Sequence, residues 1–223
     1  MKIDRTAFLA SLGAAAMGSA LREPALATTA AGTIPTRRLG RTAAIVTVFG
    51  MGGFHIGKSD LPASDAIALI HAGIDRGITF MDNSWDYNGG ASELRMGQAL
   101  NTGGYREKVF LMTKIDGRTK AAAAAQIDQS LARLLTDRID LVQIHENIRA
   151  DDADRVFAPG GAIEALVAAK KAGKFRFIGF TGHKSPAYHL HMLAVATENG
   201  FTFDTVQMPL NVMDAHFNSF RKR

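Results

Sequence analysis

Residues 81–93 read MDNSWDYNGGASE. A short apolar run, GITFM over 77–81, delivers Asp82; Tyr87 follows five residues later, then Gly89-Gly90, then Ser92 and Glu93. A carboxylate and a phenol are thus set together where a strand gives way to a loop. Working outward, short β-type runs alternate with helical patterns from Thr36 onward. Strands are expected over 43–49, 78–82, 109–114, 139–145, 175–181 and 205–208. Helices are expected over 64–76 with Ser64 as cap, 92–100, 120–135, 162–171, from Ser185-Pro186, where proline suits the first turn, and from Asn211 onward. In the third of these, Ile127, Leu131, Leu134 and Leu135 fall on one face. The preceding run of alanines, 121–125, simply favours helix.

Continuous apolar strands alternating with amphipathic helices imply a parallel sheet covered by helices, hence an α/β fold. A doubly wound sheet and a (β/α)8 TIM-type barrel compete, and the polar residues choose between them. Asp82, Lys114, His145 and Thr181 all close successive strands, which is where a barrel collects its chemistry. A doubly wound nucleotide binder would concentrate its signal in the first βα turn. The turn here, FGMGGFHIG over 49–57, misses G-x-G-x-x-G, and no helix is expected directly after it. Its glycines read as a tight turn or a close cofactor approach. About six βα units fit, so the expectation is an incomplete barrel over 37–223.

With 223 residues, 47% of them hydrophobic, the chain is long enough to bury a core. It has no cysteine, which excludes disulfides, thiolate nucleophiles and Cys-ligated zinc. The formal charge of +5 sits largely in the tails. Lys2, Arg5 and Arg22 outnumber Asp4 and Glu23 at one end, and Arg221, Lys222 and Arg223 close the other. The body is close to neutral, which argues against a nucleic-acid partner. Residues 1–27 have basic residues, an apolar run and Ala25-Leu26-Ala27, the layout of an export signal, followed by a linker over 28–36. Arg5-Thr6 resembles a twin-arginine motif with Thr6 in place of the second arginine; a general secretory signal is the other reading. Either implies an exported, periplasmic protein with no stable membrane span, since the apolar run is short.

The rim groups carry the chemistry. A phenol has a reference pKa near 10, and an ammonium beside it favours phenolate. Lys114 can supply the ammonium to Tyr87, Asp82 can keep that lysine charged and oriented, and His145 can orient a substrate carbonyl. The set is a tuned proton donor without a metal or a covalent nucleophile, suited to carbonyl reduction. Each residue alone has a plainer reading: a turn cap for Asp82, packing for Tyr87, a solvent-reaching stem for Lys114, a satisfied backbone group for His145. Four required types at consecutive strand ends outweigh those readings. Among the other histidines, His189 and His191 face different ways on a helix, and His55, His71 and His216 lack a carboxylate at metal-site spacing, so no metal site is expected. The acidic run Asp151-Asp152-Ala153-Asp154 reads as a solvated loop lip.

The chain resembles an aldo-keto reductase. The likeness rests on residues 77–87 (GITFMDNSWDY), Ser92-Glu93, Gly97, 110–114 (FLMTK), 140–145 (DLVQIH), 178–181 (IGFT) and Val206-Gln207, in the family's order over about 37–220. The resemblance implies a tetrad of Tyr87 as acid/base, Lys114 and Asp82 as its tuners and His145 as substrate orienter. It implies NADPH, or NADH, as cofactor and a small-molecule carbonyl substrate. Gln207 on the sixth strand would hold the nicotinamide carboxamide, with Thr181 beside it and Gly52 close to the cofactor. Thr181-Gly182 replaces the family's usual Ser-Asn, so one amide contact is missing. The family binds the cofactor's phosphates beyond strands seven and eight, so these 223 residues alone are expected to hold NADPH weakly and to turn over little. Two other readings remain: a barrel of the same ancestry acting as a binding or regulatory partner, and a metal-dependent hydrolase barrel. The oligomeric state and the substrate's identity are not legible.

Overall fold

The computed structural model describes residues 33–211 and 219–220. The export signal over 1–27, most of the linker and the helix expected after Asn211 lie outside the described residues. Strand β1 (Thr36–Arg38), which takes in the last linker residue, pairs antiparallel with β2 (Ile45–Thr47). There follow β3 (Gly50–Gly52), α1 (Gly53–Ile56), α2 (Ala63–Asp75), β4 (Phe80–Asp82), α3 (Ala91–Leu100), β5 (Phe110–Ile115) and α4 (Lys120–Arg133). The chain continues through β6 (Ile139–Ile144), α5 (Asp152–Phe157), α6 (Ala162–Lys171), β7 (Phe175–Thr181), α7 (Pro186–Glu198) and β8 (Thr205–Gln207). Strands β3 to β8 form one six-stranded sheet in sequence order, every pairing parallel. Consecutive parallel strands joined by helices follow the (β/α)8 barrel pattern, here through six strands.

Alternation along each strand assigns its two faces. In β5, Leu111 and Ile115 point outward into the main core with Ile70, Met96, Ile127, Leu134 and Phe180, all at most 2% exposed. Burying each such side chain stabilises by about 1.5–3 kcal/mol. Phe110 and Met112 point inward and pack with Leu141 and Val46, so the β1–β2 hairpin covers the lower inner face. Thr47 and Thr79 exchange backbone-to-hydroxyl hydrogen bonds of 3.1 and 3.0 Å, fixing the hairpin to the barrel. The inward parity of Phe80, Met112, Leu141 and Thr205 continues upward to Asp82, Lys114, Gln143 and Gln207. The same alternation that builds the core therefore turns these polar groups inward at the C-terminal rim. Among the described residues no helix is long and apolar enough to cross a membrane.

Several local expectations are corrected. The strand expected over 43–49 belongs to the hairpin, and the barrel's first strand is the glycine run itself. A Cβ on Gly50 would sit 3.0 Å from Phe80 Cδ1 and 3.3 Å from the Phe80 carbonyl oxygen, so β3 lies tightly against β4 there. One helical turn, α1, does open directly after that run. Helix α2 begins behind Pro62, and the Ser64 hydroxyl bonds Asp65 instead of capping. Leu135 lies past the end of α4 with φ 51° and is 49% exposed, because the chain turns back there toward β6. The helix expected to start at Ser185-Pro186 is present, with proline in its first turn, and Ser185 caps it, Oγ accepting from the Ala187 N–H.

Candidate active site

Lys114 organises the site from the inner end of β5. It is 2% exposed, so its stem does not reach solvent, and its ammonium is satisfied within the protein. Nζ pairs with Asp82 Oδ1, donates to the Asn83 carbonyl at 2.8 Å and donates to the Tyr87 hydroxyl at 3.1 Å. Those three acceptors use all three ammonium protons. The ammonium also lies 4.6 Å from the centre of the Tyr87 ring. Asp82, at the end of β4, accepts a second bond from Gln207 Nε2 at 2.9 Å.

Tyr87 is held because its loop stays paired past the strand end: Asn83 N–H donates to the Met112 carbonyl and Trp85 N–H to the Lys114 carbonyl, both at 3.0 Å. The turn that follows has Asn88, Gly89 and Gly90 at φ 53°, 64° and 93°. Glycine takes that region without strain, which explains the glycine pair after the phenol. A Cβ on Gly90 would also meet the Arg133 guanidinium at 2.5 Å. Phe54 packs edge-on against the phenol, centroids 5.5 Å apart.

His145 stands one residue beyond β6, its ring 5.7 Å from that of Tyr87 at 74°. Its Nδ1 edge faces Asp116 Oδ1 at 3.0 Å, Ser84 Oγ at 3.3 Å and Asp86 Oδ1 at 3.4 Å. Burial pushes the imidazole's pKa down, but the hydrogen bonds to Asp116 and Asp86 outweigh it, so His145 titrates above the ordinary histidine value. Asp86 titrates below its ordinary value: burial works against this, and the hydrogen bonds from His145 and Ser84 prevail.

Asp82, Tyr87, Lys114 and His145 thus meet at one mouth, on the C-terminal rim of a parallel barrel sheet. The Aldo/keto reductase family model matches residues 48–221. The chain belongs to that family. It is 32% identical over 158 residues to L-galactose dehydrogenase of Arabidopsis thaliana, covering 67% of this chain and 49% of that protein. It is 33% identical over 164 residues to the aldo-keto reductase yakc [NADP(+)] of Schizosaccharomyces pombe, covering 67% and 46%. A solved aldo-keto reductase structure from Pseudomonas aeruginosa superposes with a TM-score of 0.67 at 26% identity, covering 80% of this chain and 69% of that one. The chain spans about half the length of the curated relatives it matches.

In this family member the other residues picked out by sequence lie around the same mouth. Gly52 pairs in register with Asp82, and a Cβ there would enter open space. Thr181 pairs with Gln207 across β7 and β8. Gly182 has a packing reason: a Cβ would come within 2.5 Å of the Asn147 carbonyl oxygen and 2.8 Å of His189. Among the buried polar atoms without a partner near the site is Gln207 Oε1, whose amide nitrogen holds Asp82. An acceptor left open there fits the N–H of an amide-bearing group such as a nicotinamide carboxamide.

The sequence reading gave no role to Ser84, Asp86 or Asp116. Their positions, just before Tyr87 and two residues after Lys114, were the only signal. With His145, the two aspartates bring their donor atoms within 4.8 Å of one another, a grouping not legible from residue spacing. Nor is the acidic run at 151–154 simply a solvated lip. Asp152 is fully buried, pairs with Arg118 Nε at 2.9 Å and accepts from the Ile148 and Arg149 N–H groups at 3.0 and 2.8 Å. Arg118 also donates to the carbonyls of Asp116 (2.9 Å) and His145 (2.6 Å), clamping two site loops together.

Proposed function

We propose that this protein reduces aldehydes or ketones with NADPH, or NADH, and that Tyr87 delivers the proton. The observation that carries this reading is the buried Lys114 ammonium, shared between Asp82 and the Tyr87 hydroxyl at 3.1 Å. When bound, the nicotinamide cofactor supplies the hydride to the carbonyl carbon. The chain's own residues then account for the proton. Tyr87 donates it to the carbonyl oxygen, and the ammonium beside it stabilises the phenolate left behind. Asp82 keeps that ammonium charged in a buried setting. His145 orients the carbonyl oxygen toward the phenol. Gln207, with its unpartnered Oε1, Thr181 and Gly52 are the residues that would hold the nicotinamide side of the cofactor. Phe110, Met112 and Leu141 make the inner face beneath apolar. Export to the periplasm, read from residues 1–27, is proposed on sequence alone.

Tyr87→Phe tests the assignment. Carbonyl reduction should fall by roughly 10²–10⁴-fold while cofactor binding persists. Unchanged reduction would overturn Tyr87 as the proton donor; no reduction by the unsubstituted protein, with partner binding that survives Tyr87→Phe, would favour a role in which the barrel binds a partner. Loss of activity on chelation, with stoichiometric bound metal, would favour the metal-dependent hydrolase reading.

A further inference from the structure

We propose that Asp116 and Asp86 are positioning residues that fix the His145 ring from its Nδ1 edge, leaving Nε2 to donate to the substrate oxygen. The proposal rests on the reductase reading above. Three groups meet Nδ1, and every one can only accept: the Asp116 and Asp86 carboxylates, and the Ser84 hydroxyl, whose proton goes to Asp86 Oδ1 at 2.5 Å. An unprotonated Nδ1 would face three acceptors with no hydrogen between them. Nδ1 therefore carries a proton, and the tautomer is set. The described residues make no hydrogen bond to Nε2, so that nitrogen is left for a ligand.

The charges facing the ring come from every neighbouring loop. Asp86 and Tyr87 approach from the loop after β4, and Asp116 and Lys114 from the end of β5. Two carboxylates favour the imidazolium; burial and the Lys114 ammonium oppose it. The hydrogen bonds to the carboxylates prevail, so His145 keeps its second proton, the one on Nε2, to a higher pH than an ordinary histidine, and in that form Nε2 can donate. The frame is rigid for a further reason. One buried guanidinium, Arg118, holds the backbone carbonyls of both Asp116 and His145 and is itself anchored on Asp152. The partner that fixes the ring and the ring itself thus share one clamp.

The sign of the pH effect follows. If reduction needs the imidazolium, kcat/KM is full below the His145 pKa and falls as pH rises through it. Removing the carboxylates leaves burial and Lys114 in control, so the falling limb should move to lower pH. The test is 15N NMR of the imidazoles in the full chain, with the His145 signals identified by their loss in His145→Asn. The unsubstituted protein should show a protonated Nδ1 and a titration above the ordinary histidine range. Asp116→Asn and Asp86→Asn should each lower it, and the double variant should lower it furthest. In parallel, kcat/KM for an uncharged aldehyde should drop by roughly 10²-fold in the double variant. The NADPH dissociation constant should stay unchanged, and Asp116→Glu should recover part of the rate. A His145 titration unmoved in the double variant, or an unprotonated Nδ1, overturns the proposal. So does stoichiometric zinc bound by the trio and lost in Asp116→Asn, because an ion would take the place of the Nδ1 proton. The reductase reading fails separately, if Tyr87→Phe leaves reduction intact, and the NMR titration does not depend on that outcome.

Discussion

Lys114 and Asp82 are not equivalent halves of their ion pair. The lysine side chain is 2% exposed and the aspartate 20%. Removing the aspartate strands an ammonium with almost no access to water; removing the lysine strands a carboxylate that keeps some water and the Gln207 bond. Breaking a buried pair costs about 3–5 kcal/mol when the remaining charge is uncompensated. Asp82→Asn is expected to cost that much, and Lys114→Met about 1–3 kcal/mol. Urea unfolding of both variants checks the order. The tetrad was legible because Asp82, Lys114 and His145 stand at the ends of successive strands at inward parity and Tyr87 follows Asp82 by five residues in the same loop, which a linear sequence displays directly. Asp86 and Asp116 were not, because their meaning arises only where separate loops converge on one ring nitrogen. Asp152 was misread for the same reason: its partner, Arg118, lies 34 residues away in the chain.

Among elements, the longer helices and the middle strands could be read from periodicity; α1, α5 and the first strand could not. β3 is Gly50-Met51-Gly52, so two of its three positions have no side chain to show alternation. Its identity comes instead from what it lies against, Phe80 to Asp82. A similar close approach governs α3. A Cβ at Gly97 would fall 2.3 Å from the Arg133 carbonyl oxygen and 2.7 Å from the Leu134 carbonyl carbon, at the end of α4. Backbone cannot rotate away as a side chain can. Gly97→Ala is expected to destabilise by about 1–3 kcal/mol, seen as a lower urea midpoint with an unchanged slope. Because α3 follows directly on the Tyr87 turn, the same variant should also slow reduction.

At the scale of the molecule, one sheet performs two tasks. Its outer face, against the helices, holds most of the apolar core, and its inner face is apolar below and polar at the rim. A cavity of about 460 Å³ opens on that inner face, lined by Phe80, Met112, Leu141, Gln143 and Leu210, and borders the tetrad at Gln207. Of the residues proposed to hold the nicotinamide, Gln207 lines this cavity. The family resemblance places the phosphate contacts on strands beyond the six described. Expressed as these 223 residues, the protein is therefore expected to bind NADPH with a dissociation constant above about 1 μM, which fluorescence titration would measure. Tyr87, set against Lys114, is proposed to deliver the proton in carbonyl reduction. The most direct measurement is aldehyde-dependent NADPH oxidation at saturating cofactor, by the protein and by Tyr87→Phe. The predicted result is measurable reduction that falls by at least about 10²-fold in the variant, with cofactor binding unchanged. Equal rates in the two proteins, or no reduction by the unsubstituted one, would contradict it.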